Sequence, residues 1–269
     1  MDISYFRTAW TEVRQSEGWV GKMFLLGLVQ FIPIFGSMVL YGYLFGWARE
    51  LAWRVPAPMP KSIISNEDGK FYRRGFFALV IVFVFGLVSL IWSIASGYFS
   101  YTDTAGNVVW PALFAALIIS LIVFVVECAL DLFAWVGAMR MTLYNRLSAG
   151  FQLSKAWAMI KHDASGILRI LGMNVLLMLI WSAIAAIALY ASMLVLILFM
   201  FGGSALFGLV WFVWIIAVLY FALVANAFTW MMKANALGHW TAQFDVALWR
   251  GQDDLLPFER EQDQGQSQA

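Results

Sequence analysis

The sequence predicts an all-α fold, a polytopic bundle of integral membrane helices, on three observations. Hydrophobic residues make up 62% of the 269 and charged residues only 12%, where a soluble domain carries about a quarter charged. Four apolar runs are each long enough, as helix, to cross a hydrocarbon core of about 30 Å. Two links between those runs, FSYTDTAGNVVWP and FGGS, contain none of the 17 lysines and arginines, the asymmetry that sets orientation in a bilayer.

The first element is an amphipathic helix with Phe6, Trp10 and Val13 at helical spacing and bases beside them, a pattern suited to the membrane interface. Next comes GLVQFIPIFGSMVLYGY, residues 27–43, an apolar stretch broken by Pro33 and Gly36. Residues 19–32 would give about 21 Å of helix, enough to enter a bilayer but too little to span it comfortably. Proline removes a backbone donor and disfavours helix at the residue before it, so a turn at Pro33 to Gly36 would close residues 19–53 into a hairpin. The alternative is one span kinked at Pro33, which membrane helices tolerate when neighbours re-satisfy the freed carbonyl. Charge favours the hairpin. A single crossing would place Arg7, Arg14 and Lys22 opposite every other base, whereas a hairpin keeps all 17 together.

Four spans follow: Gly75 to Tyr98, Ala112 to Ala138, Ile167 to about Met200, and Ser204 to Met232. Leu153, Trp157 and Ile160 mark a second interfacial helix before the third span. That third run exceeds one bilayer thickness, so it is expected to tilt or project. Trp19, Trp47, Trp53, Trp92, Trp110, Trp135 and Trp230 fall near run ends, where interfacial tryptophans sit. Every base falls before residue 23, in 49–74, in 140–169 or from 233 onward, which places both termini in the cytoplasm of a cell-membrane protein. The N-terminal segment mixes acids and bases without a signal-peptide core, so no cleavable leader is expected. Residues 1–250 read as one membrane domain, and the polar tail 251–269 as disordered cytoplasmic chain.

Ala9-Trp10-Thr11-Glu12-Val13-Arg14 and Ala156-Trp157-Ala158-Met159-Ile160-Lys161 share A-W-x-x-[V/I]-[R/K], each followed by a glycine, Gly18 or Gly166, that opens an apolar run. An internal repeat over 5–55 and 151–200 fits this match, as does a chance likeness of two amphipathic helices. FIPIFGSMVLYGY, residues 31–43, the link PAPMPKSIISNEDGKFYRRGFF and the helix opened by Gly75 together resemble the bacterial and archaeal membrane-protein family "domain of unknown function 4013". Met59-Pro60 stands where that family usually has Leu-Pro, and no Trp follows Pro60. The resemblance implies about six membrane helices, an unassigned function, and a looser similarity to the membrane domain of some glycerophosphodiester phosphodiesterases. It brings no catalytic residues.

Five acid or amide side chains sit within the apolar runs: Glu127, Asp131, Asn174, Asn226 and Gln30. Glu127 and Asp131 are four residues apart and share a helix face, with Asp131 about 13 Å and Glu127 about 20 Å beyond Arg140. All five would lie in the cytoplasmic half of the bilayer. One reading makes them a pocket lining a substrate or proton path. The other, which carries more weight, makes them structural: Asp131 pairs with Arg140 or Arg169, Glu127 is protonated, and the amides bond across helices.

No catalytic, cofactor or metal site is legible. His162 and His239, the only histidines, stand in no metal-ligand spacing, the single Cys128 excludes an intramolecular disulfide, and G-x-S-x-G, Walker and H-E-x-x-H patterns are absent. With a net charge of +1 there is no reason to expect nucleic acid. The expected function is a non-catalytic membrane component, in contact with the lipid bilayer and with a membrane protein partner or further copies of itself. The alternative is a small transporter or lipid-handling protein using the polar pocket.

Overall fold

The computed structural model describes residues 4–54, 58–64, 69–96, 110–199, 204–244 and 246. Among them the regular elements are α-helices and there is no strand. α1 (Tyr5–Gln15) is the expected amphipathic helix, but its buried face is Tyr5, Ala9 and Val13, leaving Phe6 and Trp10 partly exposed. The small Ala9 lets the helix lie close against its neighbours while Trp10 packs edge-on to Trp19 and Phe228.

α2 (Trp19–Val29) ends where the Phe31 and Ile32 amides donate back to the Leu28 and Val29 carbonyls, both at 3.1 Å. α3 (Pro33–Ala52) opens at Pro33, a position where the missing N–H has no helical acceptor to lose. The turn thus occupies Gln30 to Ile32, just before the expected Pro33–Gly36: proline starts the second helix and does not form the bend. Gly36 lies against the Val29 carbonyl and the Gln30 backbone, where a Cβ would not fit.

Two contacts decide between hairpin and kinked span. The Met59 N–H donates to Ser16 Oγ at 3.1 Å, and Lys22 Nζ donates to the Met59 carbonyl at 3.3 Å. Residues at the start of α2 and after α3 therefore meet. One continuous helix over both elements would hold them about 45 Å apart.

Among the described residues α4 (Phe71–Ser96), α5 (Trp110–Tyr144), α8 (Ala164–Phe199) and α9 (Ser204–Ala242) are the helices long and apolar enough to cross a membrane. α6 (Leu147–Gly150) and α7 (Leu153–His162) lie between α5 and α8. α7 buries Ala156, Met159 and Ile160 and leaves Trp157 half exposed, stacked on Phe133. In both copies of the A-W motif the alanine is covered and the tryptophan is not.

α4 packs along α5 and α8 along α9, while α5 touches α8 and α9 sparingly. The core gathers at one end of these pairs, because α5 and α9 run past the expected limits of Ala138 and Met232. Residues 134–144 of α5 and 227–238 of α9 are buried without interruption, so both helices are enclosed on every side there. At the other end the same helices are bare: Leu117, Ile118, Leu121, Ile122 and Val125 of α5 are all 58% exposed or more. An apolar helix exposed around its circumference needs lipid or another apolar partner.

This placement corrects the reading of three tryptophans. Trp47, Trp135 and Trp230 stand near the ends of apolar runs but are core residues at 0, 1 and 7% exposure. The tail 251–269 lies outside the described residues, as do the two base-free links apart from Trp110, Pro111 and Ser204.

Candidate functional site

Where α3, α5 and α9 converge, Lys233 is 4% exposed and its Nζ lies between two indoles, 3.8 Å from the Trp230 ring centre and 4.4 Å from that of Trp135. Aromatic faces are electron-rich and attract an ammonium most strongly when water is excluded. Tyr41 of α3 closes the group, edge-on to Trp230 at 5.0 Å. Asp131 interacts electrostatically with Lys233 and with Tyr41, and with Glu127 one helical turn away on α5. Arg140, one of the two partners expected for Asp131 beside Arg169, bonds to other groups: its guanidinium reaches Gln152 Oε1 at 2.7 Å and the Ala149 carbonyl at 3.3 Å. A buried lysine facing an acid, with a second acid one turn further along α5, can hold a charge within the apolar zone or exchange a proton with its partner.

The other three polar residues divide between two places. Asn226 Nδ2 donates to Gln30 Oε1 at 2.7 Å, and Gln30 Nε2 donates to the Leu26 and Leu223 carbonyls at 3.0 and 3.2 Å, fastening the hairpin tip to α9. Asn174 is buried in α8, where its Nδ2 meets Met178 Sδ at 3.9 Å and its Oδ1 has no partner among the described residues. The five thus form a carboxylate pair, an amide pair and a separate asparagine. Lys233 and its aromatic walls were missed because a lysine at the end of a run reads as a boundary marker. Trp230 and Lys233 at i, i+3, with Asp131 and Trp135 at i, i+4, were the available signals.

A second cluster secures the ends of the helices. Glu12 of α1 accepts Asn235 Nδ2 at 2.7 Å and lies 2.9 and 3.0 Å from His239 Nε2 through its two oxygens. Burial pushes the Glu12 carboxyl up, but hydrogen bonds from His239 and Asn235 and the His239 charge outweigh it and leave it below its usual value. Asp163, at the α7–α8 junction, caps α8 by accepting the Gly166 N–H at 2.9 Å, and Gln243 Nε2 reaches its other oxygen at 3.1 Å. Burial raises its carboxyl too, yet the Gly166 amide and the Gln243, Ser165 and Trp240 donors hold it below the ordinary range. No group of three His, Cys, Asp or Glu converges on a metal-sized site among the described residues.

The family described as "Protein of unknown function (DUF4013)" matches residues 25–190, more than half of the chain. The chain belongs to the DUF4013 family. No curated protein and no solved structure matches it, and no comparison extends to glycerophosphodiester phosphodiesterases. The DUF4013 segment runs from within α2 to within α8 and takes in Gln30, Glu127, Asp131 and Asn174. Asn226, Lys233 and His239 lie beyond it on α9, and Glu12 precedes it on α1 in this DUF4013 protein.

Proposed function

We propose that this protein is a non-catalytic, multi-pass component of the cytoplasmic membrane, with both termini cytoplasmic, that serves as a partner subunit for another membrane protein. The bare outer lengths of the spans support this most directly: no more than 22% of the most apolar window of any of the four is buried within the chain. Gln30 and Asn226 bond to each other, the arrangement of interhelical glue in a bundle and not of a polar path.

Extraction into lipid particles, with photo-crosslinkers at Leu121 and Val125 of α5, tests the proposal. One stoichiometric protein adduct of fixed mass is the expected result. Lipid adducts alone, from a monomeric particle, would instead favour the second reading, a small transporter or lipid-handling protein. That reading draws on Lys233, which interacts with Asp131 within the spans, Asp131 in turn interacting with Glu127.

A further inference from the structure

A cavity of about 510 Å³ opens between α3, the 58–64 link and the start of α4, away from the Lys233 group. Its lining carries three bases, Arg49, Lys61 and Arg74, against one acid, Glu50. Arg74 is 7% exposed, and its guanidinium lies across α3 at Gly46, where a Cβ would meet Nη1 at 2.7 Å. The link is held as the cavity's rim by Tyr43, whose hydroxyl donates to the Pro60 carbonyl at 2.9 Å.

Depth and neighbourhood select the ligand. Arg74 stands in the first turn of α4, a span that begins at Phe71, so the charged lining is level with the boundary of the apolar zone. Along the same α3–α4 seam, Tyr72 stacks on Phe35, both with exposed rings, and Ile34 and Phe76 extend this apolar strip. A positive cavity that continues into exposed aromatic surface matches a molecule with an anionic head and an apolar tail. A free phosphate would use only the first half.

We propose that this cavity binds the phosphate headgroup of an anionic membrane lipid, with the acyl chains along the Phe35–Tyr72 strip. The proposal does not depend on the partner-subunit reading and survives its failure.

The test is titration of the full-length purified protein with dioctanoyl phosphatidylglycerol, dioctanoyl phosphatidylcholine and inorganic phosphate in turn. Saturable binding of phosphatidylglycerol alone is the expected result. Lys61→Gln and Arg49→Gln should each weaken it about fivefold, the scale of one basic side chain at a charged membrane surface. Lys61 is well suited, since its side chain is 92% exposed and its Glu17 partner is distant at 4.0 Å. Glu17→Gln, which removes that pair and leaves the cavity's lining intact, should leave binding unchanged. Equal phosphatidylglycerol affinity in the Lys61 and Arg49 variants, with wild-type melting, would overturn the cavity as the site. Phosphate binding as tight as phosphatidylglycerol would overturn the lipid as its occupant.

Discussion

Glu12 shows how one side chain ties the interfacial helix to the bundle. Its carboxylate faces Asn235 and His239 across the α1–α9 contact and is held below its ordinary pKa. A lowered carboxyl contributes stability that is present above the unfolded value of about 4.3 and is lost as pH falls through the folded one. Wild-type melting temperature should therefore drop between about pH 5 and pH 3 more steeply than that of Glu12→Gln. Parallel acid limbs in the two proteins would remove Glu12 from that role. Sequence reading found the membrane acids, because a carboxylate inside an apolar run is conspicuous. It did not find the partner of Asp131, since nothing local links that residue to Lys233 on another helix.

The hairpin makes the clearest statement among the elements. Its charge pattern was legible from the positions of 17 bases, and the Ser16 and Lys22 contacts with Met59 agree. The bend itself was placed slightly late, because Pro can end one helix or begin the next and here begins one. Single cysteines at Glu17 and Lys61, in a Cys128→Ser background, should react with an impermeant thiol reagent from the same side of sealed vesicles. Labelling from opposite sides would restore the kinked span. Helix ends were the least legible feature: α9 continues from Met232 to Ala242 although its hydropathy falls, because buried neighbours replace lipid as its surroundings.

For the molecule as a whole, the contrast between a packed end and a bare end governs stability. A chain stopped after Met232 would keep all four apolar spans by composition, yet would lose Lys233, Leu237, Trp240 and the Asn235 and His239 contacts with Glu12. Such a truncation should abolish the cooperative melting transition while still inserting into membranes; an unaltered transition would show that the spans alone hold the fold. The four bare spans were legible as membrane helices, but the buried end was not, since its sequence looks like any cytoplasmic continuation. Its position in the chain also imposes a timetable. α9 touches α1, α2, α3, α5 and α8, and it follows all of them in the chain, so it is made after every helix it packs against. Gln30 and Glu12 must wait for the α9 residues Asn226, Asn235 and His239 that bond them, so this part of the bundle closes only after α9 arrives.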